Sequence, residues 1–280
     1  MREPILKVNN LHYSYGTGNP ALKGVSVDIY QGEKIAVIGS NGSGKSTFFL
    51  NANGVLTADH GEISYQGAVI NKKNIKELRK NIGIVFQDAD NQIIASTVMA
   101  EVGFGPMNLK LPREEVVKRV DEALTTMNIL DFKDRPPHYL SGGEKKRVTI
   151  ADIIAMKSEV IIFDEPTAAL DPLNAQMLEE VLVKLGEEGK TMLISTHDVD
   201  FAYRWAERAI VFDQGRIIAD GTPLEIFKNS TILEQANLKR PAMLDVYEML
   251  IGNKLIKDTN NYPTTPEELK VLLEKQFNHG

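Results

Sequence analysis

The apolar residues of this chain follow one period near its start, another in its middle and a third beyond residue 160. Between about residues 5 and 70, Leu6–Tyr15, Gly24–Tyr30 and Gly61–Ile70 alternate apolar and polar positions, and Gly, Asn and Pro turns separate them. That is the pattern of strands with one buried face. From about 88 to 158 the period becomes helical. Val116, Val117, Val120, Leu124 and Met127 form one stripe behind Pro112, and a second helix after Gly143 buries Val148, Ile150, Ile153 and Ile154. Short apolar runs then return at Val160–Phe163, Met192–Ile194 and Ala209–Phe212, the last facing Arg216–Ala219 across Asp213-Gln214-Gly215. Runs of this kind suit parallel strands buried on both faces, with Ala175–Leu185 as a crossover helix. From about 223 the pattern is helical to the end, broken at Pro241, Gly252 and Tyr262-Pro263. Thr265, Pro266 and Glu268 predict a capping box at the start of the last helix.

The period pattern predicts an α/β fold, and 280 residues suffice for one large α/β domain with a small appendage. Apolar content of 42% and charged content of 25% are ordinary for a globular protein. There is no cysteine, so disulfides and cysteine-held zinc or iron–sulfur sites are excluded. A net charge of −6 argues against an extended nucleic-acid surface. The five histidines are scattered, which predicts no metal site built by the protein alone. No apolar run approaches the ~20 residues that span a bilayer, and the opening Met1-Arg2-Glu3-Pro4 lacks the apolar core of a secretion signal.

Chemistry concentrates first at Gly39-Ser40-Asn41-Gly42-Ser43-Gly44-Lys45-Ser46-Thr47. This stretch fits the phosphate-loop pattern between a strand, Lys34–Ile38, and a helix continuing through Phe48-Phe49-Leu50. Its glycines let several N–H groups converge at a helix N-terminus, where an anion is favoured. Lys45 is predicted to reach the β- and γ-phosphates of a nucleoside triphosphate, and the Ser46 hydroxyl to ligate Mg²⁺. The second concentration, Val160–Phe163 followed by Asp164-Glu165-Pro166, puts two carboxylates at a strand's C-terminal edge, where open α/β sheets place ligands. Asp164 is assigned to Mg²⁺ through water and Glu165 to polarising the attacking water as general base.

A third motif, Leu140-Ser141-Gly142-Gly143-Glu144, makes a second anion site at a helix N-terminus. With it the chain resembles the nucleotide-binding subunits of ABC transporters, over roughly residues 4–227. The resemblance implies a phosphate-loop ATPase fold of ABC type, with a mixed-sheet core, an antiparallel β subdomain and a helical subdomain. It implies that Ser141, Gly142 and Gly143 cap the γ-phosphate bound by a partner subunit, with Glu144 where the family most often has Gln. It further implies that His197, in Ser195-Thr196-His197-Asp198, contacts the γ-phosphate, and that Gln87 senses Mg²⁺ and the attacking water. Asp171, in Ala169-Leu170-Asp171, would be directed across the dimer interface, and an aromatic residue, Tyr15 or Tyr13, would stack on adenine. Tyr15 is the better match. The charges Glu144-Lys145-Lys146-Arg147 read as a solvated first turn rather than a nucleic-acid patch.

A narrower similarity lies in Gly83–Gln92, in Glu101–Pro106 and in Asp198–Ala206. These segments are similar to the ATPases of energy-coupling factor importers, including the CbiO type, with Ala89 where that subfamily usually has Pro. The implied organisation is an ATPase domain over 1–226, its helical subdomain at about 88–158, and a C-terminal helical extension over 227–280 that serves dimerisation. The implied ligands are ATP and Mg²⁺. Implied partners are a second ATPase subunit, identical or paralogous, a transmembrane coupling subunit gripped through Asp88–Ser96, and a substrate-capture membrane subunit, at the cytoplasmic face of the cell membrane and without nucleic acid. The solute would be cobalt, nickel or a vitamin. A conventional binding-protein-dependent importer ATPase is the alternative. Chromosome-maintenance ATPases would need a long coiled coil between Lys45 and Ser141, and ribosome-acting relatives a second phosphate loop; the sequence has neither.

Overall fold

Period-2 burial on one face and burial on both faces are divided between two sheets. The structure, a computed structural model, describes residues 2–16, 18–168 and 170–277; Ala169 and His279 lie outside them. The strands are β1 (Leu6–Tyr15), β2 (Asn19–Ile29), β3 (Lys34–Ile38), β4 (His60–Tyr65), β5 (Ala68–Val69), β6 (Ile82–Val85), β7 (Val160–Asp164), β8 (Thr191–Ser195), β9 (Arg208–Asp213) and β10 (Arg216–Gly221). The alternating segments form an antiparallel sheet of order β2-β1-β4-β5. The stretch predicted as one strand over Gly61–Ile70 divides into β4 and β5, because Gln66 and Gly67 both take positive φ and turn the chain back on itself. The apolar runs form a second sheet of order β10-β9-β3-β8-β7-β6, parallel from β9 to β6, with β10 antiparallel at its edge.

Strand β3 shows why both faces must be apolar. Ile35 and Val37 pack with the antiparallel sheet, while Ala36 and Ile38 face the opposite layer. The next helices are α1 (Lys45–Ala52) and α2 (Ile75–Asn81); Phe48 and Phe49 of α1 fill the space between the two sheets. Then come α3 (Val98–Asn108), α4 (Arg113–Thr126), α5 (Gly142–Met156) and α6 (Pro172–Glu187). These cover the other face over Val85, Ile161, Phe163, Met192 and Ile194. The predicted stripe of α4 is buried at Val116, Val120, Leu124 and Met127, with Val117 at its margin.

The chain then continues through α7 (Val199–Trp205), α8 (Pro223–Lys228), α9 (Ser230–Ala236), α10 (Ala242–Gly252) and α11 (Pro266–Phe277). Helix α8 runs across the 226/227 junction, and Ile226 and Phe227 share one apolar cluster with β3, β9 and α7. A small separate cluster of Tyr247, Ile256 and Leu272 holds α10 to α11. At the start of α11 the predicted capping box closes by half. Thr265 Oγ1 accepts from the Glu268 N–H, but the Glu268 carboxylate reaches the N–H of Thr264 instead.

The sheet order decides the site. β3, β8, β7 and β6 are consecutive neighbours, so the residues that follow their C-terminal ends, from Gly39, Thr196, Glu165 and Phe86 onward, emerge side by side.

Candidate nucleotide site

Between β3 and α1 the backbone makes turns that only glycine takes without strain. Gly39 has φ +147°, and a Cβ there would collide with the Phe212 carbonyl. Gly44, the N-cap of α1, has φ +110°, and its Cβ would stand 2.9 Å from the Ala21 carbonyl oxygen. The loop is pinned from outside, since the Gly215 N–H donates to the Ser43 carbonyl at 2.8 Å. Inside it Lys45, 5% exposed, donates through Nζ to the carbonyls of Gly39 (2.8 Å) and Ser40 (3.0 Å). Burial lowers the Lys45 pKa, while the charges of Glu165 and Asp164 oppose that shift.

A cavity of about 430 Å³ opens over this loop, lined by Asn41 to Thr47 with Tyr15, Asn19–Ala21, Gln87 and Glu165. Tyr15 is half exposed at its edge, with its hydroxyl 3.3 Å from Thr47 Oγ1. Tyr13, whose ring meets that of Tyr15 edge-on at 5.0 Å, packs against the core between the sheets. Of the two rings, it is that of Tyr15 that lines the cavity.

The carboxylate end is a connected network. Asp164, 8% exposed, accepts a 2.6 Å hydrogen bond at Oδ1 from Ser195 Oγ, and that same hydroxyl accepts from the Glu165 N–H at 2.9 Å. Register makes this possible, because Asp164 and Ser195 are direct partners between β7 and β8. Glu165 holds φ +46°, a left-handed conformation unusual outside glycine. The carboxylate so aimed receives Gln87 Nε2 on Oε2 at 3.1 Å and stands 2.8 Å from His197 Nε2 through Oε1. Gln87 and His197 thus converge on the Glu165 carboxylate, which lines the cavity. Ser46, exposed on the first turn of α1, and Asp164 offer a hydroxyl and a carboxylate, the hard oxygen donors that Mg²⁺ takes together with phosphates and water.

Ser141, Gly142 and Gly143 are not among the residues lining that cavity, nor is Asp171. Ser141 caps α5 in a complete capping box. Its Oγ accepts from the Glu144 N–H at 3.3 Å, and Glu144 Oε2 accepts from the Ser141 N–H at 2.7 Å. Those bonds hold the Glu144 carboxyl below the usual range. A Cβ on Gly143 would come within 3.2 Å of Asn174 Nδ2, so the start of α6 abuts the start of α5. Asp171 caps α6, and the bonds from Asn174 depress its pKa. The two helix starts lie side by side, with Ser141, Gly142 and Asp171 exposed.

The charge run Glu144–Arg147 is not a solvated turn. Lys146 is 3% exposed, and its Nζ donates to the carbonyls of Phe86 (2.6 Å) and Gln87 (3.0 Å). Burial lowers its pKa to about 8, against the opposing charges of Asp164, Asp88 and Glu165. Lys145 pairs with Asp90 at 2.6 Å. The signal was present in the sequence, since Lys146 shares the i, i+4, i+7 stripe of Ile150 and Ile153. Ser195 is the other residue that pattern reading passed over; it follows the apolar run Met192–Ile194 directly, and its role depends on which strand lies beside it.

The ABC transporter family profile matches residues 22–168. The energy-coupling factor transporter ATP-binding protein EcfA of Carboxydothermus hydrogenoformans is 42% identical over 270 residues, 96% of this chain and 97% of that protein. The protein of the same description, EcfA2, of Methanospirillum hungatei is 43% identical over 280 residues, covering 99% of this chain and 70% of that protein. Among solved structures, CbiO1 of Clostridium perfringens, described as part of an ABC transporter complex, superposes with a TM-score of 0.74 at 42% identity, over 90% of this chain and 100% of that one. An ATP-binding cassette in a dimeric post-hydrolysis state with ADP and Pi matches with a TM-score of 0.71 at 31% identity, over 78% of this chain and 98% of that one.

Proposed function

Because the chain belongs to the ABC transporter family, as an ATPase of the energy-coupling factor type, we propose that it powers the import of a metal ion, cobalt or nickel, or of a vitamin through separate membrane subunits. The observation that carries the mechanistic reading is the convergence of Gln87 and His197 on Glu165 at the mouth of the Lys45 cavity. In this reading the N–H groups of residues 39–47 and the Lys45 ammonium bind the triphosphate, and Tyr15 stacks on adenine. Glu165 takes the proton of the attacking water, with Gln87 and His197 fixing the carboxylate's direction. Ser46, Asp164 and Gln87 would hold Mg²⁺, which supplies charge neutralisation at the β- and γ-phosphates.

Ser141–Gly143 is set apart from the chain's own cavity. This supports a composite site in which a second subunit, identical or paralogous, brings that helix end to the γ-phosphate, and Asp171 lies along the same face. The segment Asp88–Ser96 leads from Gln87 to the surface, where Ile94 is 72% exposed, and would meet the transmembrane partner. Among the described residues no helix is long and apolar enough to cross a membrane; the similarity to energy-coupling factor ATPases supports a peripheral place on the cytoplasmic face. Residues 227–280 would serve dimerisation through the exposed Met249, Leu255, Val271 and Phe277.

Glu165→Gln tests the reading. ATP hydrolysis should be lost while ATP now holds two chains together on size exclusion, because binding is intact and the proton acceptor is gone. A variant that hydrolyses at the wild-type rate removes Glu165 from this role.

A further inference from the structure

Helix α5 carries at its start the glycines assigned to a partner's nucleotide, and one turn later it touches the chain's own site. That contact is Lys146. Its stem is buried with the stripe of Thr149, Ile150 and Ile153, and its Nζ lies between the carbonyls of Phe86 and Gln87. Among the described residues, Lys146 makes the hydrogen bond from α5 to Gln87 itself, and Lys145 holds Asp90, three residues further on. Phe86 is held a second time, its N–H donating to Gln92 Oε1 at 3.1 Å, and Gln92 Nε2 in turn donates to the Thr149 carbonyl of α5 at 3.5 Å. The backbone that carries the Gln87 side chain is therefore tied to α5, directly by Lys146 and through Gln92, and the side chain projects to Glu165.

We propose that Lys146 is a positioning residue for ATP hydrolysis: it fixes the backbone of Phe86 and Gln87 against α5, so that the Gln87 amide stays on Glu165 and moves with the helix end that faces the partner's nucleotide. The proposal rests on the reading of Gln87 and Glu165 given above. Filling the space alone would not call for an ammonium, since a methionine of similar length would be buried without loss of ion solvation. What the ammonium adds is direction, through two donors on adjacent carbonyls, and the nearby charges of Asp164, Asp88 and Glu165 offset part of its desolvation. Lys146 touches neither the phosphate loop nor the face of Tyr15, so it acts on turnover rather than on nucleotide affinity.

A double-mutant cycle on the full chain tests this. Lys146→Met and Lys146→Arg are each made in the wild type and in Gln87→Ala, and kcat and KM for ATP are measured with circular dichroism melting as a control for folding. Loss of charged hydrogen bonds of this kind corresponds to a fall in kcat of about 10- to 100-fold for Lys146→Met, with KM within about twofold. Lys146→Arg restores at least part of the loss. In the Gln87→Ala background both substitutions change kcat by less than about twofold, because the residue they position is gone. The same fall in both backgrounds, or a KM that rises in step with the fall in kcat/KM, overturns the proposal and makes Lys146 a packing residue. Wild-type turnover in Gln87→Ala alone would instead overturn the underlying assignment of Gln87, and so separates the two failures.

Discussion

Ser195→Ala isolates the joint between the two carboxylates. The Ser195 hydroxyl is fully buried, donates to Asp164 Oδ1 at 2.6 Å and accepts from the Glu165 N–H at 2.9 Å. Alanine removes one oxygen and leaves no room for water to replace it. A hydrogen bond to a charged group contributes about 1.5–3 kcal/mol and a neutral one about 1 kcal/mol, so the substitution should destabilise by about 2.5–4 kcal/mol. That is a large share of the ~5–15 kcal/mol that holds a typical domain folded. The second effect is geometric. Glu165 sits at φ +46° partly because its N–H is held, and a carboxylate displaced by about 1 Å can lose about 100-fold in rate. Urea unfolding gives the stability change, and steady-state hydrolysis with calorimetric ATP binding separates turnover from affinity. The expected result is a kcat at least tenfold lower with ATP affinity within about threefold, since Lys45 and the loop are untouched. A variant that unfolds within about 0.5 kcal/mol of wild type and turns over normally refutes the argument that this hydroxyl aligns the carboxylates.

Tyr15→Ala should weaken ATP binding about tenfold by calorimetry through lost base stacking, whereas Tyr13→Ala should lower the melting temperature with affinity nearly unchanged; the reverse outcome exchanges the two roles. Ser141→Arg should reduce hydrolysis by about 100-fold while ATP affinity of the monomer stays within about twofold, because that residue is not among those lining the chain's own cavity; weakened monomer binding would place it at its own nucleotide. Asp152 on α5 is raised to about 7, chiefly by burial and secondly by the Glu101 charge. With a folded-state pKa above the unfolded value, its favourable contribution is whole below about pH 4 and is lost as pH rises through 7. Asp152→Asn should therefore flatten the stability profile between pH 5 and 8 and stabilise the protein at pH 8 by ~2–4 kcal/mol in urea unfolding; an unchanged slope would refute the assignment.

What the sequence settled by itself was local. A glycine at φ +147° or +110° announces itself because few other residues fit there, and the strand before Lys45 and the helix after it follow from short-range periodicity. The paired carboxylates after Val160–Phe163 were equally plain. Strand order was not, because parallel strands pair through hydrogen bonds between segments that carry no mutual signal in sequence. Only the order β3-β8-β7-β6 brings Gln87 and His197 onto Glu165 and lays Ser195 beside Asp164.

The same holds for burial. Lys145, Lys146 and Arg147 look alike as a charge run, yet packing of β6 beneath α5 takes Lys146 inside and gives it a task. Tyr13 and Tyr15 stand two residues apart on one strand, which the period alone would put on one face. The β1–β2 register shifts between Tyr13 and Ser14, however, and the core between the sheets claims Tyr13 while Tyr15 stays half exposed. The sequence alone determined which groups could bind a triphosphate. The tertiary structure decided which of them meet, because direction and burial depend on neighbours far away in the chain.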